Sequence, residues 1–525
     1  MDIISDPVMG MIKVGNNEQK LLEVPELNRL KHIRQNSFLY LVYPGAVHTR
    51  FEHSIGVFHI ATRIFDSLRR LKPTIFSGDS ANPSYRNKRW ELWRNRVRLA
   101  ALLHDVGHGP LSHMSEIMLL RNRIMPRTKN AEDISLETIY SEQYEKLPTL
   151  NKSVKIHEWI GSLKILNSPK RTKEIIKQTL EIDSADLEDE IERISHLAFG
   201  DYHSEKNKDE TPFWWAYEVI AGDFDADRLE YLTRDSHYTG TKYGIVDLDR
   251  IINSGFTIEE VGENKYRLFI DFIKGLGVSE SVLVARTQMY PFVYLHSTAR
   301  SASAMLMRSF DKVYESMFKE KDIITKEKLD FIRNIMEMKD YSFILYLMSE
   351  ERKSNDRERL MHRIMARDLY KKLPSKAYKY IKWKDLHPEV RELLKEVSGD
   401  YNKYYLLKKC ENEIEKKFIY NKKNKYKTSP IIIDIPPVSP LDELQSKVFF
   451  EQGDRKEKKS LEEVSKLAWI IKDMMRNDWN MFVFYDRNIA QENIENELKD
   501  FIEKQFVSTG NGESADIIRE IKSNA

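Results

Sequence analysis

Apolar and polar residues alternate along this chain with two different periods. From about residue 21 to 120 the apolar positions recur at helical spacing, as in Ile55, Val57, Ile60, Ala61, Ile64 and Phe65. That helical region is broken by the polar loop SGDSANPSYRNKR. Residues 1 to 20 read as short extended segments, and residues 125 to 150, polar throughout, read as an insertion. The stretch GDYHSEKNKDETPF, near 198 to 212, is expected to be a loop lying over a pocket. Alternation at 255 to 261 and 266 to 271 predicts a hairpin turning at Gly262-Glu263-Asn264. Residues 275 to 318 predict one or two long helices, and residues 320 to 428 are helical and rich in charge. From 430 the runs IIIDIPP, KVFF and MFVFYDR read as strands, with Pro436, Pro437 and Pro440 at edges or turns. The pattern therefore predicts a mainly α protein. It divides into a core over 1–318, a charged helical extension over 319–428 and a small mixed α/β lobe over 429–525, whose last residues, STGNGESADIIREIKSNA, are expected to fray. No internal repeat is found.

Composition narrows the functional classes. At 525 residues two lobes are expected. Lys plus Arg (84) nearly balance Asp plus Glu (82), so a net charge of +2 makes no demand for nucleic acid. The basic run NKKNKYK reads as a solvated loop. Cys410 is the single cysteine, which excludes an internal disulfide and fits a reducing cytoplasm. The N-terminus lacks a basic region followed by an apolar run, so no secretory signal is expected. No apolar stretch reaches transmembrane length, since even KLAWIIKDMM is interrupted by charge.

The candidate chemistry centres on His104-Asp105 in RLAALLHDVGHGPLSH. Adjacent imidazole and carboxylate donors suit Mn, Fe, Zn or Ni better than Ca or Mg. The pair follows an apolar run, Leu99 to Leu103, expected to be a buried helix that Gly107 and Gly109 then break. That would place the pair on a rigid helix end, with His108 and His113 on the turn beyond. His53 lies near the start of the Ile55–Phe65 stripe, and Asp227 follows Asp223 and Asp225 at alternate positions before another apolar face, Leu229 and Leu232. Singly, each has a structural reading: a core histidine, a helix C-cap, an N-terminal cap. Jointly, His53, His104, Asp105 and Asp227 make a four-ligand set that leaves positions open for water and substrate.

The chain resembles the HD-domain phosphohydrolases, and within them the deoxynucleoside triphosphate triphosphohydrolases: the vertebrate SAM- and HD-domain dNTPases and their bacterial relatives. The likeness begins at Asp6-Pro7 and Gly10 in IISDPVMGMIKV. It continues through VPELNRLKHIRQ, YPGAVHTRFEHSIGV, LLHDVGHGPLSH, IHEWIGS and DFDADRLEYLTRDSHYTG into ARTQMYPFVYLH, covering roughly residues 1 to 310. Because it starts almost at Met1, no SAM domain is expected before it. The resemblance implies an HD-domain helical core with metal ligands His53, His104, Asp105 and Asp227. It also implies a catalytic cluster of His108, His113 and His157, polarised by Glu116 and Glu158, with Glu116 replacing an Asp. Triphosphate-binding arginines fall on Arg50, Arg228 and Arg286, the sugar-reading residue on Asp235, aromatic pocket residues on Tyr231 and Tyr294, and a glutamine near base and sugar on Gln35. Tyr290 stands where the vertebrate enzymes have a histidine, and Leu295 where they have a base-contacting glutamine, so base preference does not carry over. At the family's regulatory nucleotide site stand Glu23, Asn28 and Lys31, leaving a nucleotide effector open.

These residue types suit the hydrolysis of a phosphate ester. A divalent ion neutralises charge on phosphoryl oxygens and lowers the pKa of a bound water. Forked guanidiniums hold phosphates, and an imidazole backed by a carboxylate can protonate the leaving oxygen. His113 and Glu116, three apart, share a helix face, and Glu158 is expected to serve His113 rather than its neighbour His157. The expectation is a cytoplasmic, metal-dependent dNTP triphosphohydrolase, with Mg accompanying the nucleotide and a homo-oligomer by resemblance. Control of the nucleotide pool or antiviral defence are its implied roles. Hydrolysis of another nucleotide, or nucleotide sensing or nucleic-acid binding on the same fold, are the competing readings. The chain lacks the HDxxED pattern of alarmone hydrolases and the HD-GYP signature.

Overall fold

The computed structural model describes residues 2–73, 75, 83–122, 155–199, 215–262, 265–318, 325–354, 356, 358–373, 381–382, 388, 391–392, 404–421, 431–435, 447–452, 455–479 and 482–487. The polar stretch 125–150, the segment 200–212, the turn residues 263–264, most of the NKKNKYK run, the three prolines and the tail lie outside these.

An antiparallel hairpin, β1 (Asp2–Asp6) and β2 (Gly10–Val14), opens the chain, so the extended reading of residues 1 to 20 holds as far as Val14, beyond which the chain turns helical at Asn16. Two short helices follow, α1 (Asn16–Leu22) and α2 (Pro25–Leu30). The long pair α3 (Arg50–Leu71) and α4 (Pro83–Leu103) forms the centre of the first core. Thr49 and Glu52 close a capping box at the start of α3, with the Thr49 N–H donating to Glu52 at 2.6 Å. The apolar stripe read from the sequence is the buried face of α3. Helix α4 already begins at Pro83, so much of the segment expected as a polar loop is helical: Pro83 starts the helix, and Trp93 and Val97 carry its buried face inward.

Around this pair lie α5 (His113–Arg121), α6 (Ile156–Leu166), α7 (Lys170–Leu180), α8 (Leu187–Phe199) and α9 (Ala226–Thr239). Asp225 caps α9 by accepting the Arg228 N–H at 2.7 Å, and Gly240 ends it in the left-handed region at φ 69°. The expected hairpin is present as β3 (Phe256–Gly262) and β4 (Lys265–Asp271). Helix α10 (Phe272–Met289) then runs through a π-helical turn, Tyr290–Tyr294, into α11 (Ser297–Met317).

Helices α11, α12 (Lys326–Glu337) and α13 (Asp340–Lys353) build a second core with α5, α6 and α14 (Leu360–Met365). Helix α15 (Tyr404–Asn421) and the strands β5 (Lys371–Lys372), β7 (Ile431–Asp434) and β11 (Phe482–Tyr485) pack on it, β7 and β5 flanking β11. A short pair, β6 (Ile381–Lys382) and β10 (Asp478–Trp479), stands apart. The other C-terminal strands go elsewhere. β8 (Lys447–Gln452) pairs in parallel with β4, Ile270 opposite Val448, and β9 (Arg455–Ser460) pairs with β8. The C-terminal part is thus mixed α and β as expected, but its described strands are shared among three sheets, one of which continues the 256–271 hairpin. Among the described residues no helix is long and apolar enough to cross a membrane.

Buried ion pairs tie the first core together. Arg98, on α4, grips both oxygens of Glu18, on α1, at 2.6 Å, and both residues are buried. We expect Glu18→Ala to cost ~3–5 kcal/mol, because Arg98 then stays buried without its carboxylate. Urea unfolding checks this, and the double variant Glu18→Met/Arg98→Met should recover most of the loss.

Candidate metal centre and its cavity

Helix α4 ends at Leu103, one residue before the pair the sequence reading placed on the helix itself. His104 and Asp105 lie in the turn that follows, and His104 is fixed there by its Nδ1 against the Ala101 carbonyl at 2.8 Å. The turn packs so closely on α6 that a Cβ at Gly107 would sit 1.9 Å from the His157 carbonyl oxygen and 2.4 Å from Gly161 N. Only glycine fits there. On α3, His53 is fully buried and its Nδ1 meets Glu230, on α9, at 2.6 Å. Glu230 reaches it across Gly56, where a Cβ would meet the carboxylate at 2.0 Å. Glu230 also accepts from Arg234 Nε, and Arg234 Nη2 reaches Asp6 of the N-terminal hairpin at 3.0 Å.

These outer contacts orient the inner ones. With Nδ1 of both histidines engaged, Nε2 of His53 and of His104 is buried without a hydrogen-bond partner. Asp227 lies 2.9 Å from His53 Nε2, Asp105 lies 3.6 Å from the same nitrogen, and Asp105 lies 3.4 Å from His104 Nε2. Metal bonds of ~2.0–2.2 Å place neighbouring donors roughly 3 Å apart, so this spacing suits one ion. His53, His104 and Asp227 each offer a ligand atom within 4.8 Å of the others. The electrostatics agree. Burial pulls the His53 imidazole down, but Glu230, Asp227 and Asp105 outweigh it and raise it to about 10. Burial pushes Asp227 up, and His53 overrides it and holds the carboxyl well below its usual range. Asp105 is likewise held low by Arg50, His104 and His108 against its burial. The site calls for positive charge, and a divalent ion would supply it with two imidazoles and two carboxylates as ligands.

Beside it lies a histidine cluster. Glu116 is shared: one oxygen faces His113 Nδ1 at 3.0 Å and the other His157 Nδ1 at 2.9 Å. His108 stacks on His157 with ring centres 3.9 Å apart and approaches Asp105 at 3.2 Å, so it touches both groups. Burial would raise the Glu116 carboxyl, but His157 and His113 hold it well below its usual value. His113 is drawn below its ordinary value by desolvation, with Glu116 pulling the other way, and its side chain is 57% exposed. Glu158 does not serve His113. It caps α6, accepting the Lys155 N–H at 3.0 Å and the Lys155 ammonium at 2.9 Å, because as third residue of the helix its shortest reach is back to the cap.

Both groups line a cavity of about 550 Å³ at the seam between the two cores. Gln35, Arg50, Arg228, Tyr231, Asp235, Arg286, Tyr290, Tyr294 and Glu158 line it too, so every metal, catalytic and substrate residue named from the sequence, except the buried His53, borders this one space, while Glu23, Asn28 and Lys31 do not. Arg50 bonds Asp105 at 2.8 Å and Ser112 through Nε at 3.1 Å. Ser112 and Leu111 stand at φ 61° and 57°, a backbone rarely adopted by such residues, and Asp340 holds the Leu111 N–H at 2.7 Å. Asp235 accepts from Asn36, His48 and Tyr294, each at 2.7 Å. Arg286 lies 5.4 Å from the Tyr290 ring centre, and Tyr290 meets Tyr294 edge-on. Arg228 lines the cavity, but its Nη1 is turned back on the Gly222 and Asp223 carbonyls and the Asp225 carboxylate. Sequence reasoning missed Glu230, Arg234, Ser112, Asn36 and His48. Only the Glu230/Arg234 spacing of four, on the same helix face as Asp227, carried a usable signal.

A buried His/Asp centre beside a histidine–glutamate relay, on a helical scaffold, defines a metal-dependent phosphohydrolase. Comparison with known proteins agrees. The HD domain matches residues 50–190 and the HD associated region residues 246–506. The protein MJ1154 of Methanocaldococcus jannaschii is 30% identical over 504 residues, covering 96% of this chain and 83% of that one. The deoxynucleoside triphosphate triphosphohydrolase SAMHD1 of Gallus gallus is 27% identical over 389 residues, 71% of this chain, and the match spans 56% of that protein. In fold, the chain is similar to a solved phosphohydrolase of Bacteroides thetaiotaomicron, with a TM-score of 0.56 and 20% identity over 93% of this chain and 100% of that one. This chain belongs to the HD-domain phosphohydrolase family, together with the SAMHD1 dNTPases.

We expect Asp227→Asn and His104→Ala to abolish stoichiometric metal in the purified protein, read by elemental analysis. Gly56→Ala should weaken metal affinity by ~10–100-fold, since the added methyl displaces the carboxylate that orients His53. Titration with Mn²⁺ checks it.

Proposed function

We propose that this phosphohydrolase acts on deoxynucleoside triphosphates, releasing inorganic triphosphate and a deoxynucleoside. One observation carries the reading: the metal centre and the His113–Glu116–His157 relay open onto one cavity whose other walls bring four arginines, three tyrosines and the buried carboxylate of Asp235. About 550 Å³ lies within the range of small-molecule sites. The SAMHD1 relatives carry the dNTP triphosphohydrolase name, which supports the same substrate class.

A divalent ion held by His53, His104, Asp105 and Asp227 would supply Lewis-acid stabilisation of the phosphoryl oxygens and lower the pKa of a water. The chain does the rest. Arg50, locked by Asp105 and Ser112, and Arg286, beside Tyr290, both line the cavity. Both place fixed charge where a triphosphate would lie. Asp235, held by Asn36, His48 and Tyr294, presents a rigid carboxylate for a sugar hydroxyl. Water attacks the α-phosphorus and releases a proton to solvent, the bond from phosphorus to the 5′ oxygen breaks, and that oxygen takes up a proton. His113 is placed to give it, since Glu116 holds its Nδ1 and turns the other nitrogen to the half-open mouth. The proposed complement is one Mn, Fe, Zn or Ni ion, Mg with the nucleotide, and at least a homodimer.

Incubating the protein with each dNTP and Mn²⁺ or Mg²⁺, and resolving products by ³¹P NMR, tests the substrate. Triphosphate and deoxynucleoside are expected. Pyrophosphate or orthophosphate as product, or no turnover with any metal, would defeat the reading.

The acid role has a pH signature. A donor must be protonated, so kcat should fall as pH rises through the His113 pKa. Glu116→Gln removes the carboxylate that raises that pKa, so the alkaline limb should move to lower pH. The peak rate should drop by ~10²–10⁴-fold.

A further inference from the structure

The turn that carries Asp105 and His108 is held from behind by two buried cations that touch neither the metal ligands nor the cavity. Arg29, on α2, donates through Nη2 to the Val106 carbonyl at 3.1 Å and to the His108 carbonyl at 2.5 Å. Its Nη1 reaches the Met336 carbonyl at 3.2 Å and the Met338 carbonyl at 3.4 Å, at the end of α12. Lys164, on α6, donates to the Val106 carbonyl at 3.3 Å. Glu337 pairs with Lys164 at 2.8 Å and stands 3.9 Å from Arg29 Nε. Three residues on, Asp340 holds the Leu111 N–H and, at 2.9 Å, the Arg34 N–H. The segment 336–340 of the second core therefore grips the turn at 106–111 and Arg34, the bridge residue next to Gln35.

Lys164 is the informative member. The residue is 8% exposed, and its ammonium shares the Val106 carbonyl with a second cation, Arg29. Burial first, then the charge of Arg29, pull its pKa down to about 8, and Glu337 opposes them. A lysine whose pKa falls on folding opposes folding while charged, so at neutral pH this side chain works against stability. If Lys164 served the fold alone, an apolar residue would serve better. The Val106 carbonyl would still have Arg29.

We propose that Lys164, with Arg29 and Glu337, is a positioning residue that fixes the Asp105–His108 turn against the metal ion and the His157 ring, at the expense of stability. The claim rests on the reading of that turn as the catalytic one. Stability and function should consequently move in opposite directions.

Lys164→Met and the half-exposed Glu337→Gln test it in the full chain. For Lys164→Met we expect a melting midpoint equal to or above that of the parent, Mn²⁺ affinity about tenfold weaker, and a shifted His108 imidazole signal by NMR. A lower kcat with little change in KM should accompany them. Glu337→Gln should show the same signs, smaller. An earlier melt or failure to fold in Lys164→Met makes the residue structural and overturns the proposal. Unchanged Mn²⁺ affinity and an unmoved His108 signal in a stable variant overturn it equally. The metal and NMR readouts need no substrate, so absence of dNTP turnover would sink the substrate reading while these still decide the clamp.

Discussion

Negative charge gathered around a buried imidazole governs this structure. Glu230, Asp227 and Asp105 converge on one buried imidazole, His53, at the meeting of α3, α9 and the turn after α4. Carboxylates gathered in that way must be neutralised. A proton on His53 does so in part, Arg50 and Arg234 do so at the edges, and a divalent ion among the ligands would complete it. Much of the surrounding architecture follows from this. Gly56 exists to let a carboxylate through, Gly107 to let the turn lie on α6, and Leu111 and Ser112 hold an unfavourable backbone so that Ser112 can bind Arg50.

The inner residues were legible because their chemistry is local in sequence. His104-Asp105 is a dipeptide, His113 and Glu116 are one turn apart, and Asp227 sits in a capped helix start. The helical stripe of α3 and the 256–271 hairpin were readable from periodicity alone. What could not be read was the identity of partners separated by long stretches of chain. Glu116 serves two histidines because α6 brings His157 to it across 41 positions. Glu158 looked eligible for the same task, but its own helix start claimed it, a local hydrogen bond outcompeting a distant one. Asn36 and His48 carry no motif of their own. They matter only because Asp235, nearly two hundred residues later, lands between them.

The resemblance that the motifs suggested is matched by the relatives in family, and the cavity gives it a physical basis. Its walls come from both cores, so the distance from the metal to the arginines and tyrosines depends on how those cores pack. The shared position of Glu116 between His113 and His157 makes the relay a single unit in which altering one imidazole redistributes charge on the other.

The parallel pairing of β8 with β4 bears on biosynthesis. Val448, Leu461, Ala468 and Ile471 belong to the first core, beside residues of α3 and α4. One side of that core therefore lacks its cover on the ribosome until nearly 450 residues have emerged, leaving the edge of β4 bare for much of translation. Contacts of such sequence separation form slowly, and a nascent chain in this state is a client for holding chaperones.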